Sequence, residues 1–183
     1  MTSIADLELA FNNTERLVRG VRPDQWGAAS PCAGWTLRNL VNHMTWVIEM
    51  LGAAARGEAP PHSPTDDVLG ADPVAAYTRA TQSTLAAWKE RGTAGTVQLP
   101  TRELPAEVAF NINVIDPFVH GWDIAECTGQ EADLDSELCA DMLAFAEIIA
   151  APGSRTDNFG PVVDVDADAP VADRLVAYLG RTP

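Results

Sequence analysis

The chain has 183 residues, 46% of them hydrophobic and 21% charged, with 12 Lys and Arg against 26 Asp and Glu for a formal net charge of −14. These proportions suit one globular domain with a real core and exclude wholesale disorder. The acidic balance argues against a nucleic-acid backbone or an anionic membrane as the main partner. In chain order, residues 3–20 read as an amphipathic helix, because Ile4, Leu7, Phe11, Thr14 and Val18 fall at spacings of three and four. Gly20 and Pro23 end it, and residues 21–35, with Pro23, Gly27, Pro31 and Gly34, read as a loop. Thr36 is an N-cap for a second helix over 37–56, with its stripe at Leu40, His43 or Met44, Val47 and Met50 or Leu51. Residues 57–72 form a Pro-, Gly- and Asp-rich exposed linker. Asp72 and Pro73 then supply N-cap and first turn for a third helix to Arg91, carrying Val74, Tyr77, Thr81, Leu85 and Trp88.

Gly92 to Leu104 is a long connection, and Pro105 opens a fourth helix that should reach Cys127, with Gly129 as its stop. Asp135 or Ser136 caps a fifth helix to Ala150. Val162, Val163 and Val165 suit a short strand or an extended arm, and residues 171–180 suit a final short helix. The pattern predicts an all-α bundle whose apolar stripes meet around one core.

Cys32, Cys127 and Cys139 are an odd set without CxxC spacing, which argues against a disulfide framework or a cysteine zinc finger. The N-terminus carries Asp6, Glu8 and Glu15 rather than a basic start with an unbroken apolar run, and no apolar stretch of about 18 residues occurs. The expectation is therefore a cytoplasmic protein without a membrane span.

Chemistry concentrates on the histidines. His62 lies in a PPHSP linker and reads as an ordinary exposed residue. His120 follows Asp116 by four residues, a spacing that stacks both side chains on one helical edge where they can reach one ion. That edge lies roughly 100° from the apolar stripe Val108, Ile112, Ile115, Val119 and Trp122. His43 sits inside the apolar stripe of the second helix and needs a polar partner. If the second and fourth helices face each other, His43, Asp116 and His120 make a three-ligand set with positions left open. An Asp-x3-His pair alone often arises by chance, and a core histidine bonded to a backbone carbonyl is commoner than a ligand. Asp123 continues the Asp116 and His120 edge, either as an acceptor that orients His120 or as a surface acid near the helix end. Cys127 is about 10 Å along the axis from His120 and reads as a packed residue. Trp35, Trp46 and Trp122 suit either a pocket wall or the core. Cys32 sits in a loop, and nothing near it in sequence would lower its pKa. Pro117 biases Asp116 away from helical geometry and predicts a kink, or a break, at this turn.

Three segments, SPCAGWTLRNLVNHM (30–44), IDPFVHGWDIAECTGQ (115–130) and FGPVVDVDADAPVADRLVAYLGR (159–181), occur in this order. Together they resemble the DinB-like metal-binding bundles, in the branch of the mycothiol-dependent maleylpyruvate isomerase N-terminal family and its short members described as metal-binding proteins. The resemblance implies a DinB-like four-helix bundle over 1–155, often dimeric, with a short C-terminal extension over 156–183 packed on it. It implies a divalent ion held by His43, Asp116 and His120, with zinc foremost and nickel, iron or manganese also suited to such ligands. On the reading of the residues themselves, Asp123 would stand behind these ligands, and Trp46 and Trp122 would line the pocket. Mycothiol or another low-molecular-weight thiol would be the co-substrate of an S-transferase or isomerase acting on a small electrophile. A hydrolase using water, or a non-enzymatic metal- or small-molecule-binding bundle, are the alternatives. The sequence departs from the isomerase pattern in carrying Asp116 where that enzyme has Glu, and only its last residues, from about 156, could take the part of that enzyme's larger C-terminal domain, which puts maleylpyruvate as the substrate in doubt.

Overall fold

Local capping sets the helix boundaries in the computed structural model, which describes residues 2–151, 155 and 159–183. Helix α1 (Ile4–Arg19) begins at Ser3, whose hydroxyl accepts from the Asp6 amide while the Asp6 carboxylate accepts from the Ser3 amide. Helix α2 (Leu37–Arg56) begins the same way, with Thr36 and Asn39 as the reciprocal pair, and ends at Gly57, whose φ of 72° is the left-handed cap that glycine adopts freely. Helix α3 (Pro73–Arg91) starts on the Asp72 side chain and Pro73. Strands β1 (Thr96–Gln98) and β2 (Glu103–Pro105) follow, then α4 (Ala106–Thr128), α5 (Ser136–Ile149) and α6 (Val171–Tyr178).

The chain divides into two compact units. The unit Ser3–Ala132 holds α1 to α4. Here α1 packs on α3 and α4, and α2 packs on the same two helices, so the order round the bundle is α1–α3–α2–α4. The fold is thus the all-α bundle expected from the apolar periodicity. The α2–α3 seam is built from small residues. A Cβ added to Gly52 would lie 2.2 Å from Thr84 Oγ1 and 3.1 Å from the Thr84 Cα, and that hydroxyl donates to the Ile48 carbonyl at 2.9 Å. Helix α4 is the most enclosed element, buried along Ala109, Phe110, Asn113, Val114, Phe118, Gly121 and Ile124. Buried between α3 and α4, Trp88 Nε1 donates to Asn113 Oδ1 at 2.9 Å.

One expectation needs correction. Residues 92–104 are not a plain connection, since β1 and β2 form an antiparallel hairpin in register Thr96↔Pro105, Val97↔Leu104 and Gln98↔Glu103. Val97 and Leu99 are buried, and the Ala106 amide, at the start of α4, donates to the Gly95 carbonyl at 2.9 Å. Helix α4 runs from Ala106 to Thr128 and ends at Gly129, as expected, and of the two outcomes open at Pro117 the break does not occur. The Thr14 hydroxyl of α1 donates to the Pro117 carbonyl at 2.8 Å, which ties that turn to its neighbour.

The linker 57–72 is exposed but fastened. Along one stripe of α2, Arg38 binds the Asp67 carboxylate and the Gly70 carbonyl, Asn42 binds the Asp66 carbonyl and the Val68 amide, and Trp46 Nε1 donates to the His62 carbonyl at 3.0 Å. These positions recur every four residues, so the linker runs as a strap along a single helical edge.

In the unit Asp133–Pro183, α5 packs on α6. Asp135 caps α5 by accepting from the Leu138 amide at 2.9 Å. Residues 161–165 are irregular rather than a strand, with Val162 and Val165 exposed and the Val163 amide bonded to the Ala177 carbonyl. Arg155 donates to the Ala150, Gly160 and Tyr178 carbonyls and lies over the Phe159 and Tyr178 rings. Among the described residues no helix is long and apolar enough to cross a membrane.

Candidate metal centre

The site forms where α2 and α4 meet. His43 lies one residue round from the fully buried Met44, so its ring is half-buried at the rim of the bundle. Asp116 and His120 share the facing edge of α4, as their four-residue spacing requires. The two imidazoles converge on one carboxylate oxygen: His43 Nε2 is 3.7 Å and His120 Nε2 is 3.6 Å from Asp116 Oδ1. The rings stand edge to face with centroids 5.7 Å apart. One donor atom from each of the three residues lies within 4.8 Å of the other two. A tetrahedral ion about 2.1 Å from each donor needs donors roughly 3.4 Å apart, so small movements would bring all three to bonding distance.

The cluster is shielded without being sealed. Asp116 and His120 expose 16% and 11% of their side chains, against 34% for His43, which leaves the approach on the His43 side. Burial opposes protonation of His43, but the Asp116 carboxylate beside it outweighs that and raises its pKa above the usual 6.5.

Behind the cluster, Asp123 is fully buried and its Oδ2 lies 2.8 Å from His120 Nδ1. A carboxylate on Nδ1 sets that nitrogen as the proton donor and turns the Nε2 lone pair toward Asp116. The surface-acid alternative for Asp123 does not hold at this depth. Aromatic rings flank His43, with the Trp35 centroid at 4.8 Å and Trp46 at 6.4 Å. Trp122 is half-buried on α4. His62 is exposed, with Nε2 3.9 Å from Glu49 Oε2, and stands apart from the cluster.

Sequence reasoning missed the place of Cys32. The loop before α2 is closed by a bridge between Ala29 and Thr36, by the Ser30 amide on the Trp35 carbonyl and by the Trp35 amide on the Cys32 carbonyl. Gly34, at φ 80°, makes the turn. This small clasp sets Trp35 against His43 and puts Cys32 Sγ 3.5 Å from Asp123 Oδ2. The readable signal was the turn chemistry of SPCAGWT directly before the N-cap of the helix that carries His43. Cys127 is half-buried, and burial with the nearby Asp123 charge pushes its thiol pKa up.

A helical bundle that closes a His–Asp–His cluster between its second and fourth helices, with a carboxylate behind one imidazole, defines a class of candidate metal-site bundles. The model of the family described as "Mycothiol maleylpyruvate isomerase N-terminal domain" matches residues 7–125, and the chain belongs to this family. The matched stretch lies inside the unit Ser3–Ala132 and includes every residue of the cluster. Two relatives, "Uncharacterized protein Rv0738" and "Uncharacterized protein MT0763" from two strains of Mycobacterium tuberculosis, are each 34% identical over 168 residues, covering 91% of this chain and 90% of theirs. Crystal structures of a mycothiol-dependent maleylpyruvate isomerase and of a histidine-to-alanine mutant of it share the fold at a TM-score of 0.64 and 16% identity. Each match covers 85% of this chain and 72% of theirs.

Proposed function

We propose that this protein binds a divalent metal ion through His43, Asp116 and His120 and acts as a metal-dependent thiol S-transferase or isomerase on a small electrophilic substrate. Mycothiol, or another low-molecular-weight thiol, is the proposed co-substrate. The observation that carries the reading is the convergence of two imidazole Nε2 atoms on one carboxylate oxygen, 3.7 and 3.6 Å away. Membership of the family gives the thiol its place in the proposal.

The residues present fit an ion. Two neutral imidazoles and one carboxylate are borderline donors that suit zinc foremost, and also nickel, iron or manganese, and three protein ligands leave a position open. When bound there, such an ion would lower the pKa of a thiol or a water beside it. The protein's own residues do the rest. His43 and His120 present Nε2 to a common point, and Asp123 fixes the His120 ring from behind. Trp35 and Trp46 give the open side an apolar wall, where a small electrophile would lie against ring faces.

Elemental analysis of untagged protein tests the reading. About one ion per chain in the wild type, lost in His120→Ala, is the expected result, followed by consumption of an activated double bond only when thiol is added. Turnover with water alone would move the chemistry to hydrolysis. Absence of any ion after supplementation and dialysis would remove the metal-based reading altogether.

A further inference from the structure

Cys32, Asp123 and the far nitrogen of His120 form a second group of donors, on the opposite edge of the imidazole from His43. Cys32 Sγ lies 3.5 Å from Asp123 Oδ2, and Asp123 Oδ2 lies 2.8 Å from His120 Nδ1. One donor from each residue falls within 4.8 Å of the other two. A tetrahedral ion with sulfur at about 2.3 Å and oxygen and nitrogen at about 2.1 Å needs donor separations of roughly 3.4–3.6 Å. The sulfur–oxygen distance already meets this, and the oxygen–nitrogen pair would have to open by about half an ångström, the change from a hydrogen bond to two adjacent ligands. Asp123 is fully buried and His120 nearly so, whereas Cys32 is half-buried on a loop, so the thiol is the side from which an ion enters.

We infer that Cys32, Asp123 and His120 Nδ1 constitute a second metal position, specific for a thiophilic cation of the zinc and cadmium class. Its donor set differs in kind from the first. The His43, Asp116 and His120 group offers only nitrogen and oxygen, while this one adds a thiolate, the ligand that favours soft cations. Thiolate and carboxylate together neutralise a divalent charge in a buried place, which the neutral imidazole leaves unchanged.

Proton balance follows from the ring. Filling this position alone releases the Cys32 thiol proton and moves the His120 proton from Nδ1 to Nε2. Filling both positions removes the ring proton as well. A neutral imidazole has one lone pair to give, so the two positions compete for His120. The second position does not require the first to be occupied.

The test uses the full, untagged, reduced protein, stripped of metal and titrated anaerobically with Co²⁺. A near-ultraviolet thiolate-to-cobalt charge-transfer absorption should appear, vanish in Cys32→Ser and persist in His43→Ala. Cd²⁺ should bind at least tenfold more weakly to Cys32→Ser than to the wild type. Cobalt bound to the wild type without the thiolate absorption would overturn the inference, as would an absorption unchanged in Cys32→Ser, which would place it on another thiol. If Cys32→Ser does not fold by circular dichroism, alkylation of the wild type decides. Cd²⁺ should protect Cys32 from iodoacetamide in peptide mass spectra, and undiminished labelling of Cys32 at saturating Cd²⁺ overturns the proposal. The two sites fail separately, because an ion that needs His43 but shows no thiolate absorption supports only the first.

Discussion

Asp123 has no solvent exposure, and a carboxylate at that depth is tolerable only when its oxygens are occupied. His120 Nδ1 and the Cys32 thiol both lie against its Oδ2. Replacing it with asparagine keeps the shape and an acceptor but removes the charge that makes the imidazole a better ligand. Asp123→Asn should weaken Zn²⁺ binding at the His43, Asp116 and His120 cluster about 10- to 100-fold, the usual cost of losing a carboxylate behind a ligating histidine. Competition with a chromophoric chelator would measure this, and unchanged far-ultraviolet circular dichroism would show that the helices are intact. Equal affinity in mutant and wild type would mean that Asp123 serves only packing. The cluster was readable in sequence where its members are helical neighbours: Asp116, His120 and Asp123 lie on one edge of α4, and His43 stands out as an imidazole in an apolar stripe. Cys32 was not, because its contact with Asp123 spans 91 positions and depends on a loop clasp that periodicity does not encode.

At the scale of elements, the strap over α2 carries a strained point. Glu49 is on the stripe that holds the linker, and its Oε2 is buried without a hydrogen bond, with His62 Nε2 at 3.9 Å, beyond hydrogen-bonding range. Burial raises the Glu49 pKa above 4.5 and outweighs the opposing pull of His62 and Arg79. A carboxyl whose folded pKa is raised contributes its stability below the unfolded value, and that contribution is lost as pH rises through the folded one. At neutral pH the charged Glu49 therefore costs stability. Glu49→Gln should melt at a higher temperature than the wild type at pH 7, with the gap narrowing as pH is lowered toward 4.5. Thermal melts across that range check it, and a mutant that melts lower at pH 7 would show that the pairing with His62 and Arg79 dominates. Helices α2 and α3 were legible to the residue because Thr36, Asp72 and Pro73 are unambiguous start signals and Gly57 and Gly92 end them. The β1–β2 hairpin was not, since two three-residue strands, set among Gly95 and Pro100 and with Pro105 ending the second, carry too short an alternation to separate from a loop. The local bias of Pro117 against helix left a break open, but α4 is packed on both α1 and α2 and continues through it.

For the whole molecule, the excess of 26 acidic over 12 basic side chains, a formal −14, gives the candidate centre an environment that its own donors do not account for. Asp116 and Asp123 sit within a few ångströms of where an ion would bind, and salt screens interactions at that range weakly. The remaining acids act from farther away. Their field has a reach of about 30 Å at 0.01 M salt and about 8 Å at 0.15 M, so at low ionic strength it concentrates divalent cations near the protein and at higher ionic strength it fades. The apparent affinity for a divalent ion should accordingly weaken roughly three- to tenfold between 0.01 and 0.15 M KCl and then level off at the value set by His43, Asp116 and His120. The same titration on Asp123→Asn separates the local from the distant contribution: the whole curve should move to weaker binding while its dependence on salt stays nearly the same. Isothermal titration with Zn²⁺ at several salt concentrations provides the measurement. An affinity that does not change with salt would mean that the three ligands alone determine binding and that the acidic surface acts only in solubility. A decline that continues well beyond 0.15 M would instead indicate an ion held loosely among surface carboxylates, outside the cluster between α2 and α4.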